Sequence, residues 1–190
     1  MNIPNAISLG RIFIVPIGVW LILRGALAPA FWLFMAAAIS DAVDGFIAKR
    51  FNAVTKLGSY LDPIADKALL VSVFVSLGVE GYLPLWLVIL VVFRDLLIVS
   101  GAVLYNTMTQ ALTMEPLMIS KINTTAQLIL AVGVLGNSAF QLSLGAVIDA
   151  GILLVGTTTF LSGAVYVWQW GRRASEMEDP PSSQNGDDIP

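Results

Sequence analysis

The sequence predicts an all-α integral membrane protein, a bundle of six transmembrane helices with both termini cytoplasmic. Three observations carry this. Of 190 residues, 57% are hydrophobic and 12% charged, too apolar for an ordinary soluble domain of this length. Apolar runs near the length that crosses a bilayer recur along the chain, divided by short polar joints. The ten basic residues gather on one side of the runs, as cytoplasmic loops do.

Met1 to Asn5 is a polar entry in which Pro4 is placed to start a helix. Span one runs from about Ala6 to Leu23 and carries Arg11 in its first turns. The apolar run itself ends in Ala26-Leu27-Ala28, which resembles a leader cleavage site, but there is no basic start and Pro29 follows, so the span reads as retained. Span two extends from about Ala30 to Lys49, span three from Gly58 to Leu77, and span four from Pro84 to Tyr105 with Arg94-Asp95 near its middle. Span five begins at Lys121 and is largely complete by Leu135; span six covers about Leu142 to Trp170. Lys49, Arg50 and Lys56 lie between spans two and three, Lys121 precedes span five, and Arg172-Arg173 follow span six, whereas the opposite loops hold only Arg24. A bacterial inner membrane is the simplest address. Residues 1–173 make one six-helix domain; 174–190 form an acidic tail with five acids and no base, of a composition that favours disorder.

Within this apolar sequence, Asp41-Ala-Val-Asp44-Gly45-Phe-Ile-Ala48-Lys49 is followed by Gly58, Asp62 and Asp66. An isolated carboxylate in such a setting costs several kcal/mol unless it is paired or liganded. Asp41 and Asp44 share a helical face flanked by Gly45 and Ala48, and Gly58, Asp62 and Asp66 form a second stripe at four-residue steps. Carboxylates beside residues with little side chain suit a hard cation, Mg²⁺ or Mn²⁺, and leave room for a ligand near the backbone. The chain has no His and no Cys, so zinc, haem and iron–sulfur sites lack their usual ligands. Two acidic helix faces exposed to water would be the reading in a soluble protein; the apolar flanks favour a site. Asp41 lies eight residues before Lys49, roughly 12 Å of helix, which puts the site in an inner-leaflet cavity open to cytosol.

The spaced pattern D-x2-D-G-x2-A-(basic)-x8-G-x3-D-x3-D resembles the signature of the CDP-alcohol phosphatidyltransferases. One position departs: the family's usual Arg after the Ala is Lys49 here, which keeps the charge and loses the bidentate fork. The resemblance implies a donor, CDP-diacylglycerol, whose phosphatidyl group passes to an acceptor hydroxyl with release of CMP, and it implies two divalent cations and a homodimer. It implies that Asp41, Asp44, Asp62 and Asp66 ligate the metals, and that Asp66 also serves as the base. Gly45 and Ala48 would border the cytidine, and Gly58 and Lys49 the phosphates. Asn5, Ser8 and Arg11, at three-residue steps, resemble the family's first-span nucleotide and phosphate contacts, though an Arg in a first turn can also anchor a helix to lipid phosphate.

A cation in mid-span is costly, so Arg94 reads either as one half of a buried pair with an acid of a neighbouring helix or as a contact to substrate phosphate; Asp95, a residue on, is placed on a different side of the helix. The phosphate contact is the expectation. Lys67 reads as a neutraliser of the acidic cluster, and Glu80 and Asp149 as solvated. Arg94-Asp95 together with Ile119-Ser120-Lys121-Ile122-Asn123-Thr124-Thr125 is similar to the glycerol-type branch, which includes phosphatidylglycerophosphate synthase and cardiolipin synthase. The former usually shows Arg-Glu and Lys-x-Lys-Thr in these places; Asp95 and Asn123 fit the latter. The acceptor is then expected to be phosphatidylglycerol, with glycerol 3-phosphate the alternative, and Arg94, Lys121 and Asn123 are its candidate contacts. A transporter is more remote: no inverted repeat is visible, and the four carboxylates lie toward one face. Basic residues are too few and scattered for nucleic acid.

Overall fold

A computed structural model describes residues 3–51, 58–109 and 118–178, and among them finds six helices and no strand. They are α1 (Ile3–Leu23), α2 (Leu27–Phe51), α3 (Gly58–Val79), α4 (Leu85–Thr109), α5 (Met118–Phe140) and α6 (Gly145–Glu178). Each expected span contains a helix, and the helices are longer by a turn or so at most ends. The largest departure is α6, which passes Arg173 and continues to Glu178, so the first acids of the expected tail are helical.

Three joints are tight, for local reasons. Gly25 has φ 70° and Gly81 has φ 78°, left-handed values that cost glycine little. Each lets the next amide reach back five residues, Ala26 N to Leu21 O at 2.9 Å and Tyr82 N to Leu77 O at 2.8 Å, which satisfies carbonyls that a helix end leaves bare. Pro84 then opens α4, its carbonyl accepting from Leu87 N. Between α5 and α6 the Asn137 side chain accepts from Leu144 N at 2.8 Å. The chain therefore turns back at once after α1, α3 and α5, and each of these packs on its successor.

Beyond those hairpins, α1 lies against α3, α2 against α5, and α4 against α6. The interior is divided along its length. Toward the three tight joints it is apolar, with Phe74, Leu77, Leu87, Val91, Leu135 and Val155 almost wholly buried. A turn or more further from the joints the same inward faces carry Arg94, Asp95, Asn123, Gln127, Thr159 and Ser162, also buried. Large apolar side chains such as Phe13, Trp32, Ile89, Phe93, Leu153 and Trp168 point outward instead. One helix, α6, is long and apolar enough to cross a membrane by itself, over Gly145–Trp168; Phe13–Leu23, Leu27–Ser40 and Lys67–Val79 are shorter apolar segments.

Small residues set the helix spacing. A Cβ placed on Gly156 would stand 2.9 Å from the Trp86 ring of α4, and one on Gly151 would stand 3.0 Å from Leu130 of α5. An indole edge cannot yield as a flexible chain end can, so Gly156→Val should force α4 from α6. Overpacking of this kind typically costs about 1–3 kcal/mol; a lower thermal midpoint of the purified protein in micelles, with Gly151→Ala milder, is the expected result.

Candidate active site

The sequence's acidic motif falls on two continuous helices. Asp41, Asp44, Gly45, Ala48 and Lys49 belong to the last turns of α2, and Gly58, Asp62 and Asp66 to the first turns of α3. Only residues 52–57 separate the two helices, so both acidic pairs belong to the same end of the bundle. Asn5, Ser8 and Arg11 stand in the opening turns of α1, which packs on both α2 and α3. The side chains of all these residues lie outside the described residues. Among the described residues no group of three or more acids, His or Cys could hold a metal. The donor chemistry of the motif nevertheless fits one class of ion: with no His or Cys in the chain, four carboxylates suit Mg²⁺ or Mn²⁺.

Next to these turns lies a polar cluster drawn from four helices. Arg94 of α4 is 1% exposed. Its Nη1 donates to Asp95 Oδ1 at 2.8 Å, its Nη2 to Ser162 Oγ of α6 at 2.6 Å and to Ser120 Oγ of α5 at 2.9 Å, and its Nε to Ser162 Oγ at 3.2 Å. Asp95 Oδ1 also accepts from Lys67 Nζ of α3. Asp95 Oδ2 is buried without a donor among the described residues.

This bears on three expectations. Arg94 and Asp95 do not face apart: a long guanidinium stem curls back so that neighbours on one helix pair directly. Nor does Arg94 present a free fork to a phosphate; its donors are directed to a carboxylate and two hydroxyls inside the bundle. Lys67, expected to neutralise the motif, has its ammonium bonded to Asp95 of α4.

Asn123 is fully buried, and its Oδ1 accepts from Thr158 Oγ1 at 2.8 Å and Thr159 Oγ1 at 2.9 Å. Among the described residues its Nδ2 has no partner, and one turn on, neither polar atom of the buried Gln127 amide has one. Lys121 is exposed at the start of an apolar groove of about 780 Å³ between α5 and α6. Glu80 and Asp149 are exposed, as expected. Sequence reasoning missed Ser120, Ser162, Thr158 and Thr159 as partners. Hydroxyls bond their own helix backbone so readily that nothing in the sequence marks those that also serve a neighbour; Thr158, for example, donates to Leu154 O as well.

Comparison with known proteins agrees with the motif. The family model described as CDP-alcohol phosphatidyltransferase matches residues 1–167, and the chain belongs to that family. It is 36% identical over 152 residues to a chloroplastic CDP-diacylglycerol--glycerol-3-phosphate 3-phosphatidyltransferase of rice, covering 71% of this chain and 46% of the relative. To the cardiolipin synthase (CMP-forming) of rat it is 33% identical, over 74% of this chain and 52% of the relative. The CDP-diacylglycerol--glycerol-3-phosphate 3-phosphatidyltransferase of Bacillus subtilis is 29% identical over 87% of this chain and 93% of its own length. The chain thus spans about half the length of the rice and rat relatives and nearly all of the bacterial one.

Because the guanidinium bonds three side chains in different directions, Arg94→Lys should be destabilising although charge is kept: an ammonium cannot reproduce the planar fork. Two lost buried hydrogen bonds predict a loss of about 1–3 kcal/mol, read as a fall in thermal midpoint in micelles; an unchanged midpoint would mean the network does not hold the helices.

Proposed function

From that family membership we propose a phospholipid-synthesis enzyme that transfers the phosphatidyl group of CDP-diacylglycerol to the hydroxyl of phosphatidylglycerol and releases CMP, a reaction of the cardiolipin synthase type. The observation that carries the acceptor is position 123. In the pattern expected for glycerol 3-phosphate this position is a Lys; here it is a neutral amide, buried and gripped by Thr158 and Thr159. A site that meets a dianionic acceptor gains from a cation there, and one that meets the neutral glycerol end of a lipid does not. The apolar groove beginning at Lys121 suits a lipid acceptor, since it has room for an acyl chain.

The reading also supposes six spans in a bacterial inner membrane, both termini cytoplasmic, and a homodimer. Outward apolar side chains around a partly polar interior support a lipid surrounding. So does the placing of aromatic residues: Trp20, Trp32, Tyr82, Trp86 and Phe140 gather near the tight joints, with Arg24 5.3 Å from the Trp20 ring, and Trp168 lies toward the other end of α6. Such belts mark the two interfaces of a bilayer. The acidic motif then faces the cytoplasmic leaflet, where a lipid-linked pyrophosphate can reach it.

In this mechanism Asp41, Asp44, Asp62 and Asp66 would hold two divalent cations, which when bound would neutralise the pyrophosphate charge and that of the leaving phosphate. Gly45 and Ala48 leave space for the cytidine, and Asn5, Ser8, Arg11, Lys49 and Gly58 border the phosphates. Asp66 takes the proton of the acceptor hydroxyl as its oxygen bonds the phosphatidyl phosphorus. The phosphorus–oxygen bond to CMP breaks, and CMP departs with the bridging oxygen. Lys121 stands at the acceptor's side of the cavity, and Arg94 acts as a brace behind it.

Glycerol 3-phosphate as acceptor is the second reading, favoured by the near-complete coverage of the bacterial relative. CMP release by the purified chain in lipid micelles, with CDP-diacylglycerol and either acceptor offered separately, decides between them. Release with phosphatidylglycerol alone is expected, lost on chelation with EDTA. Asp66→Asn should lower it by about 10²–10⁴-fold, the usual contribution of a general base, with the fold intact. Asn123→Lys should shift preference toward glycerol 3-phosphate; release by the unaltered chain with that acceptor alone would overturn the first reading.

A further inference from the structure

We propose that Asp95 is a positioning residue whose task is to keep the Lys67 ammonium away from the metal-binding aspartates. The inference rests on the metal reading above and concerns a residue outside the motif. Lys67 directly follows Asp66 and lies five residues from Asp62. Its ammonium is a point charge on a flexible four-carbon stem, able to reach any carboxylate nearby. Carboxylates must be deprotonated and free to bind a cation. An ammonium paired with Asp66 or Asp62 would compete for the same oxygens.

Among the described residues, the partner of that ammonium is Asp95. Lys67 Nζ crosses from α3 to α4 and bonds Asp95 Oδ1, the oxygen that also accepts from Arg94. Asp95 is the fixed end of this tether: its side chain is 4% exposed against 26% for Lys67. Arg94 in turn is braced by Ser120 and Ser162 on two further helices, so Asp95 is tied through Arg94 to α5 and α6. Nor does Arg94 depend on Asp95 for all its bonding, since both hydroxyls serve it too. What Asp95 adds is an anion on α4, a different helix from the α3 that carries Asp62, Asp66 and Lys67, matched in sign and reach to that lysine.

The tether makes a pattern of metal affinities that other roles do not. Binding of Mn²⁺ to the purified full chain in micelles, without substrate, is read from the spectrum of free Mn²⁺. Asp95→Asn keeps an acceptor for Arg94 but releases Lys67, and should weaken Mn²⁺ binding by about 10–100-fold, as loss of an outer-shell partner does. Lys67→Met should bind like the unaltered chain, within about twofold, because its charge is already matched. Asp95→Asn with Lys67→Met should regain most of the loss, since no loose ammonium remains. If Asp95 merely tuned the local potential, Lys67→Met alone would bind Mn²⁺ more tightly; if it merely supported the fold, the double variant would bind as weakly as Asp95→Asn. Either result overturns the proposal. Should Asp95→Asn fail to fold, Lys67→Met still decides, a change of affinity in either direction being contrary to a tethered lysine. Absence of Mn²⁺ binding by the unaltered chain would instead overturn the metal reading.

Discussion

A guanidinium shut inside a helix bundle has to be surrounded by acceptors, and Arg94 imposes that condition on most of this molecule. Its charge cannot be shed, and left unpaired in an apolar interior it would cost several kcal/mol. Asp95 supplies the counter-charge and the hydroxyls of Ser120 and Ser162 take the remaining directions. Since those partners come from α4, α5 and α6, satisfying one side chain sets the rotation and depth of three helices together. Lys67 brings α3 into the same register through Asp95. Breaking the cluster would leave charges stranded, so helix registers that separate these residues are excluded more strongly than apolar packing alone would manage. In a lipid surrounding, where packing of apolar faces discriminates weakly between partners, such a polar key has particular value.

The apolar half of the interior does different work. Phe74, Leu77, Leu87, Val91 and Leu135 close the space beside the tight joints, and Gly156 and Gly151 let the Trp86 ring and Leu130 come close to α6. This end is rigid because it is filled. The other end holds buried polar atoms without a partner among the described residues, on Asp95, Asn123 and Gln127. Unsatisfied groups of this kind cost about 1–3 kcal/mol each, and they lie in the half of the bundle that also carries the acidic motif. A polar end beside a filled end suits a site, because precision of a site depends on the shell that supports it.

The acidic motif was legible without a structure because its chemistry is local. Four Asp at helical spacing beside Gly and Ala, within sequence too apolar to hydrate them, mark a candidate site and carry the resemblance to the family. The helices were legible for the same reason, since their cores are long apolar runs. Their ends were less so. Gly25 and Gly81 stop α1 and α3 through backbone geometry, whereas α6 continues through Arg172, Arg173 and Glu176 because nothing there breaks a helix.

Composition and spacing therefore determined the all-helical class, the six elements, the acidic motif and the family. Only the tertiary structure decided which charges meet. On a helix, consecutive residues diverge by about 100°, which argues that Arg94 and Asp95 face apart. Side chains several bonds long are not bound by that angle, and the partners that hold them, Lys67 from α3, Ser120 from α5 and Ser162 from α6, lie 26 to 68 positions away in the chain. Asn123 shows the same limit. Its neutrality could be read from the sequence, but its burial and its two threonine partners arise from the packing of α5 on α6, an outcome of the whole bundle.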